Sequence, residues 1–242
     1  MNKLLVSDYD GTYKIKSYDE NDINLNNIAI ENFIYYGNKF IISTGRTYAD
    51  ILPEIENFNI FANYLSCANG NVIFDIFSNL IFYNVISYKD IEDFKNFFKF
   101  FEYIKSFNCY GEEDDKNIVE FKIKYKNYEV KENFKKYLLE NNIHNFYHSP
   151  SDPLIIHFFN NNGSKVQSID IISRLHNINS SDIYCIGDRD NDLDMIKKYN
   201  GYAIQGAKEH IKKDSLSIYN SVADLANDII EGRAKIRCRK HI

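Results

Sequence analysis

The sequence predicts an α/β protein, with a parallel-sheet core into which a smaller α+β module is inserted. Near both ends of the chain, short apolar segments alternate with helical ones, which is the pattern of parallel strands joined by crossover helices. Between these parts, two helical segments lie among antiparallel-looking strands with short connections, as in a compact α+β module. We therefore predict that residues 1–71 and 160–242 form the core and that residues 72–159 form the insert.

The N-terminal elements repeat one plan, in which an apolar strand ends in polar side chains. The apolar run 4–6 leads to Asp8 and Asp10, and because alternate residues of an extended segment project the same way, both carboxylates can address one site. Apolar residues at helical spacing predict a helix over residues 25–36. A second apolar strand follows over residues 39–46 and ends in a hydroxyl, a glycine and a cation, Thr44, Gly45 and Arg46. The remaining elements are a helix over 48–57, a strand over 64–67 and a turn over 69–71.

The inserted module is predicted from strands that flank two helices. Residues 72–76 and 80–86 are predicted to pair as a hairpin, and the aromatic-rich residues 90–107 to form a helix. His148 and His157 lie on later strands, where each could face a substrate or be satisfied within the protein. The other elements are a strand around Phe121, a helix over 130–141, and strands over 144–148 and 154–159.

The C-terminal part returns to the alternation of the core. Ser164 can cap a helix over residues 165–176. The basic residues of the tail, 232–242, have two interpretations, contact with an anion or a solvated chain end. The elements between helix and tail are a strand over 183–186, a polar loop over 187–192, a helix over 193–199, a strand over 202–204 and a helix over 222–231.

Composition and charge argue against several classes of function. The net charge is −5 and basic residues are interleaved with acidic ones, so we expect no nucleic-acid-binding surface. The four cysteines form no C-x-x-C pair, which argues against a zinc site or a disulfide framework. No segment has the length of a membrane span or of a signal peptide. We expect a cytoplasmic protein, monomeric or homodimeric, that binds neither nucleic acid nor membrane.

Polar residues at the ends of three core strands predict a single site. Parallel pairing would bring Asp8, Thr44 and Asp188 to the edge where open α/β sheets place their ligands. Carboxylates gathered there repel one another unless a cation lies between them, and Mg²⁺ suits a few carboxylates together with phosphate or water. A hydroxyl, Lys165 and Arg46 could surround a phosphate. One aspartate could then attack phosphorus while a second, two residues along, transfers the proton.

These motifs resemble those of the haloacid dehalogenase (HAD) superfamily, in particular Cof-type phosphatases with a C2 cap of the C2B type. The resemblance covers nearly the whole chain and implies a Rossmann-like core with an inserted α+β cap. Asn69-Gly70 is similar to the turn that precedes the cap. The four motifs, in order, are Asp8-Tyr9-Asp10-Gly11-Thr12, Ser43-Thr44-Gly45-Arg46, Lys165, and Gly187-Asp188-Arg189-Asp190-Asn191-Asp192.

The resemblance implies a role for each matched residue. Asp8 is implied as the nucleophile and Asp10 as the general acid/base, with the backbone carbonyl of Asp10 as a metal ligand. Arg46 borders the substrate pocket or, alternatively, is a structural ion-pair partner. We interpret Asp190 and Asp194 as solvated. Mg²⁺ is the implied cofactor, held by Asp8, Asp10, Asp188 and Asp192, and the implied phosphate- or substrate-binding residues are Thr44, Gly45, Arg46, Asn69, Lys165 and Asn191.

The implied activity is hydrolysis of small phosphomonoesters, such as a sugar phosphate, through an aspartyl-phosphate on Asp8. Two alternatives remain open. A phosphotransferase or phosphomutase would pass the phosphoryl group to a sugar rather than to water, and a non-catalytic protein would only bind a phosphorylated ligand. Tyr13 and Asn71 depart from the family pattern outside the catalytic set, and the substrate stays open because function does not follow from fold.

Overall fold

The computed structural model describes residues 2–15, 20–87, 95–143, 145–149 and 152–237. Within these ranges the strands are β1 (Leu4–Ser7), β2 (Lys39–Ser43), β3 (Tyr64–Cys67), β4 (Val72–Asp75), β5 (Leu80–Tyr83), β6 (Phe101–Phe107), β7 (Glu120–Tyr125), β8 (Phe146–His148), β9 (Ile155–Phe159), β10 (Ile183–Gly187), β11 (Asn200–Ile204) and β12 (Ile218–Tyr219). The α-helices are α1 (Glu20–Tyr35), α2 (Tyr48–Asn57), α3 (Tyr128–Glu140), α4 (Lys165–Leu175), α5 (Leu193–Lys198), α6 (Glu209–Asp214) and α7 (Val222–Ile230).

The core is a sheet of eight strands in the order β12-β11-β10-β1-β2-β3-β4-β5. Pairing is parallel from β12 through β3, and apolar side chains cover both faces, as such sheets require. Leu5 and Phe40 pack with α1 and α7 on one face, whereas Val6 and Ile41 pack with α4 on the other. The predicted α/β class with a parallel sheet is therefore confirmed.

Side-chain caps determine where three core helices begin. Thr47, Ser164 and Ser221 each accept a hydrogen bond from a backbone N–H in the first turn of α2, α4 and α7 respectively. Each cap satisfies a donor that the helix leaves unpaired at its N-terminus. Lys165 is consequently the first residue of α4, as the sequence predicts. Among the described residues, no helix is both long enough and apolar enough to span a bilayer.

The hairpin of β4 and β5, which the sequence analysis places in the insert, belongs to the larger sheet. Strand β4 pairs antiparallel with β3, with Phe74 opposite Leu65, and β5 pairs with β4. Alternating apolar residues and a short turn identify a hairpin but not the sheet that it joins. The core sheet therefore continues through residue 83.

The insert forms a sheet of four antiparallel strands in the order β6-β7-β9-β8. Helix α3 packs through Phe134 and Leu138 on one face of this sheet. The prediction of a helix over residues 90–107 is wrong for residues 101–107, which form β6. Residues 95–100 form a 3₁₀ helix, and residues 90–94 lie outside the described ranges. A dense run of aromatic residues is compatible with both the helical and the strand periodicity. Residues 101–107 form a strand because they pair with the distant β7.

The tail is anchored as far as Arg237. The guanidinium of Arg237 donates to the backbone oxygens of Tyr199 (3.1 Å), Ile196 (3.1 Å) and Asp214 (3.2 Å). Two of these oxygens, those of Ile196 and Asp214, lie at the C-terminal ends of α5 and α6, where a cation is favourable. Neither interpretation of the basic tail, contact with an anion or a solvated chain end, applies to Arg237, because this residue makes an internal structural contact.

We expect Arg237→Ala to lower the free energy of unfolding by about 1–2 kcal/mol, because three carbonyl oxygens lose their donor. Urea denaturation measures the change, and limited proteolysis should show earlier cleavage of the tail. Arg233→Ala is the matched control, since Arg233 is exposed and its ion pairs, with Asp228 and Glu231, lie at the surface. Equal stability of the two variants would contradict the anchoring role of Arg237.

Candidate functional site

The predicted site residues meet at the carboxyl edge of the core sheet. Strand β1 lies between β2 and β10, and all three run parallel, so Asp8, Thr44 and Asp188 follow neighbouring strand ends. The N–H of Asp8 donates to the oxygen of Ile186 at 3.0 Å, which continues the pairing of β1 with β10 up to the site. This edge is where α/β sheets place their ligands.

Lys165 links two buried aspartates. Its ammonium donates to Asp8 Oδ1 at 2.5 Å, to Asp192 Oδ1 at 2.7 Å and to the backbone oxygen of Ser43 at 2.8 Å. Burial alone would lower the pKa of Lys165, but the charges of Asp192 and Asp8 outweigh it and raise the pKa. The lysine is therefore held as a cation between them.

The pKa of Asp8 is raised well above its usual value. Burial is the largest cause, Lys165 acts in the opposite direction, and the negative charges of Asp192 and Asp188 raise the pKa further. Burial and Asp192 also raise the pKa of Asp188, which Arg189 partly offsets. These carboxylates are thus gathered against their mutual repulsion, which a bound cation would relieve.

Asp8, Asp188 and Asp192 fit a hard divalent cation. One carboxylate oxygen from each lies within 4.8 Å of the others, and oxygen donors of this kind suit Mg²⁺. Asp192 is oriented by the N–H groups of Asp188 (3.0 Å) and Arg189 (3.1 Å), which donate to its Oδ2. Gly11 makes room for Asp188, since a Cβ at Gly11 would lie 2.4 Å from Asp188 Oδ2.

Asp10 lies outside this carboxylate group. Its carboxylate binds Arg46 in a two-point ion pair, with Arg46 Nε and Nη2 at 2.7 and 2.6 Å. A metal contact of Asp10 would accordingly come from its backbone carbonyl, as the resemblance implies. The ion-pair interpretation of Arg46 is correct, and the pairing is with Asp10 itself.

Sequence reasoning missed the charged network behind Arg46. Glu54 of α2 lies 3.5 Å from Arg46 Nη1, and it also accepts from Lys14 Nζ at 2.5 Å and from the Tyr9 hydroxyl at 2.9 Å. Although burial acts in the opposite direction, Lys14 and Tyr9 lower the pKa of Glu54. Nothing in the sequence distinguishes Glu54 from an ordinary solvated helix residue, so only tertiary contacts identify it.

The other predicted phosphate-binding residues lie beside this group. Thr44 Oγ1 accepts the N–H of Arg46 at 3.1 Å, and the oxygen of Thr44 accepts the N–H of Asn69 at 3.0 Å. Asn191 Nδ2 donates to Asn69 Oδ1 at 3.1 Å, which joins the fourth motif to the turn that precedes the cap. A Cβ at Gly45 would lie 3.2 Å from the same Asn69 oxygen. All six predicted binding residues thus belong to one contiguous cluster with the aspartates.

The family follows from comparison with known proteins. The sequence profile of the haloacid dehalogenase-like hydrolases matches residues 5–120 and 111–226. The chain belongs to this family. The resemblance inferred from the motifs is confirmed, although no protein with a curated description matches the chain in sequence.

Solved structures share the fold of this HAD-like hydrolase over nearly its full length. A haloacid dehalogenase-like hydrolase from Bacteroides thetaiotaomicron is 18% identical with a TM-score of 0.71, and the match covers 95% of this chain and 100% of that one. BT1666 from the same organism, studied among phosphatases of the HAD superfamily, is 16% identical with a TM-score of 0.72, covering 96% and 95%. The HAD subclass IIB sugar phosphatase BT4131 is 18% identical with a TM-score of 0.68, covering 96% and 99%. At these identities the similarity concerns the fold.

The insert of the HAD-like hydrolase, which we call the cap, contacts the core beside the site. The hydroxyl of Tyr147 on β8 donates to Asp50 Oδ2 on α2 at 2.9 Å. His157 on β9 is buried and hydrogen-bonded through Nδ1 to Glu120, so it is satisfied within the protein; the side chain of His148 lies outside the described residues. Asp190 is exposed, as the sequence predicts, and pairs with Lys208 and His210.

Proposed function

We propose that this HAD-like hydrolase is a Mg²⁺-dependent phosphatase that cleaves small phosphomonoesters, sugar phosphates or related metabolites, through an aspartyl-phosphate on Asp8. The observation that carries the proposal is the buried group of Asp8, Asp188 and Asp192, with Lys165 bound to two of them. Such a group is costly without a further cation to balance its negative charge. The sugar phosphatase among the structural neighbours supports the same reaction class.

The proposed reaction consists of two displacements at phosphorus, in which this chain's own residues act. A carboxylate oxygen of Asp8 forms a bond to phosphorus as the ester P–O bond breaks, and Asp10, which enters this step protonated, donates its proton to the leaving oxygen. Water then attacks phosphorus and gives a proton to Asp10. The bond between phosphorus and the Asp8 oxygen breaks, so phosphate is released and the Asp8 carboxylate is restored. Lys165 offsets the negative charge on Asp8 and the phosphoryl group, and Thr44 holds a phosphoryl oxygen.

The carboxylates of Asp8, Asp188 and Asp192 and the carbonyl of Asp10 would hold the metal ion. When bound, Mg²⁺ would neutralise charge on the phosphoryl oxygens and orient them for in-line displacement. Arg46 orients Asp10 through their two-point ion pair, and Glu54 in turn supports Arg46. The cap excludes bulk water, other than the attacking molecule, from the reacting atoms and opens to release product.

The test is phosphate release from sugar phosphates, nucleotides and cofactor phosphates, with and without Mg²⁺. We expect turnover of at least one ester with Mg²⁺, loss of turnover in EDTA, and recovery with excess Mg²⁺, because the carboxylate repulsion needs a cation. No release from any ester with Mg²⁺ would favour a non-catalytic phospholigand-binding protein. If an added sugar acceptor takes up more phosphoryl groups than water does, the activity is instead a phosphotransferase.

A further inference from the structure

The cap sheet has two different faces. On β7, Phe121 and Ile123 pack with Phe134 of α3 in the apolar core of the cap. Because side chains alternate along a strand, Glu120 and Lys122 lie on the opposite face. That opposite face is polar, and no helix of the described cap residues packs on it in the way that α3 covers the first.

This polar face of the cap sheet contacts the core beside the predicted site. Tyr147 lies on it, and its hydroxyl donates to Asp50 in the first turn of α2, four residues after Arg46. Burial raises the pKa of Tyr147, while the nearby Arg46 cation acts in the opposite direction. Phe159 on the same face is buried in the main apolar cluster of the core. The face thus meets the core at the start of α2, beside Arg46.

One row of side chains crosses the whole face. Strand register places Lys105 opposite Lys122, Lys122 opposite His157, and His157 opposite Tyr147. The rings of His157 and Tyr147 stack with centroids 4.4 Å apart and planes inclined by 6°. Lys122 therefore lies one strand away from the stacked pair that reaches the core.

Lys122 differs from its neighbouring lysines in having no partner in the part of the chain that the structure describes. Lys105 is paired with Glu113, and Lys124 lies 3.4 Å from Glu102 and 3.8 Å from Asp152. The ammonium of Lys122 makes neither an ion pair nor a hydrogen bond with any described residue, although its side chain is half-buried. A cation that is partly removed from water and unpaired attracts an anion.

Glu120 does not fill that need. It lies two residues before Lys122 on the same face, but its carboxylate is buried and hydrogen-bonded to His157. Burial is the largest influence on the pKa of Glu120 and raises it. His157 lowers this pKa, and the charge of Lys122 lowers it less than His157 does. The charge of Lys122 is consequently available to a ligand bound between the cap and the core.

We propose that Lys122 binds a second anionic group, a carboxylate or phosphate, on the leaving group of the substrate. The proposal rests on the phosphatase function proposed above and narrows its substrate class to phosphomonoesters that carry another negative charge. The phosphoryl group that reacts would lie at Asp8, and the remainder of the molecule would extend toward the cap. Lys122 would then lower KM for such esters without taking part in the chemical steps.

The test compares two esters that differ only in this group, 3-phosphoglycerate and glycerol 3-phosphate. We expect wild-type protein to prefer 3-phosphoglycerate. Lys122→Met, which keeps the aliphatic stem, should lower kcat/KM for 3-phosphoglycerate about tenfold through KM, as for a partly desolvated ion pair, and leave glycerol 3-phosphate unchanged. Lys122→Arg should retain the preference.

Lys124→Met is the matched control, because Lys124 is on the same strand and face but is already paired; it should change neither ester. A lack of preference in the wild type, or an equal effect of Lys122→Met on both esters, overturns the anionic subsite alone. If the wild type releases phosphate from neither ester nor from any member of the wider panel, the phosphatase itself is overturned and the subsite with it.

Discussion

Asp8→Asn should abolish phosphate release and leave the fold intact. The amide has nearly the same shape but cannot attack phosphorus, so we expect kcat to fall about 10⁴-fold or more. Stability should not fall in metal-free protein, because burial and the neighbouring aspartates already disfavour the ionised Asp8 carboxylate, as its raised pKa indicates. Lys165 keeps two of its three acceptors, Asp192 and the Ser43 oxygen. Turnover of the best ester and thermal unfolding in EDTA measure the two effects.

Asp190→Asn is the control for Asp8→Asn. Asp190 follows a neighbouring strand end but is exposed, and it pairs at the surface with Lys208 and His210. We expect this variant to keep activity within about twofold and stability within about 0.5 kcal/mol. Turnover near the wild-type rate in Asp8→Asn would refute Asp8 as the nucleophile, whereas loss of near-ultraviolet circular dichroism would mean that the variant reports on folding.

Lys165→Met should reduce both activity and stability. The variant leaves two buried aspartates and one carbonyl oxygen without their shared donor, and breaking a buried charge network in this way costs about 3–5 kcal/mol. Because folding raises the pKa of Lys165, its contribution is complete below the ordinary lysine pKa and is lost as the pH rises through the higher folded value. Denaturant unfolding in EDTA measures the loss, and phosphate release should become undetectable.

Lys197→Met provides the comparison for Lys165→Met. Lys197 is exposed and lies 3.2 Å from Asp214 at the surface, so its loss should change stability by less than about 1 kcal/mol. We also expect Mg²⁺ to stabilise Lys165→Met more than the wild type, since a cation can replace the missing charge between the carboxylates. An unfolding free energy equal to that of the wild type in EDTA would show that Asp8 and Asp192 do not depend on Lys165.

Local sequence was sufficient to predict the parallel strands of the core and the edge of the sheet where the candidate site lies. Apolar runs that end in polar residues at Asp8, Thr44 and Asp188 specify short buried strands, and parallel strands necessarily bring such ends together. Ser164 specifies the start of α4 and therefore the place of Lys165. These features depend on neighbouring residues and on a general rule of sheet topology, which is why one sequence suffices for them.

The tertiary structure decided what depends on contacts between distant segments. Residues 101–107 form a strand because β7 supplies their hydrogen bonds, and the β4–β5 hairpin joins the core because β3 offers a free edge. Cross-strand register, not the local sequence, places Lys122 on the polar face of the cap sheet, where no described residue pairs with it. In the opening motif, Asp8 and Asp10 are equivalent by spacing alone. In the folded chain, Lys165 pairs with Asp8 among buried carboxylates, and Arg46 pairs with Asp10. The two aspartates differ only through these contacts, because charges pair when folding brings distant segments within a few ångströms.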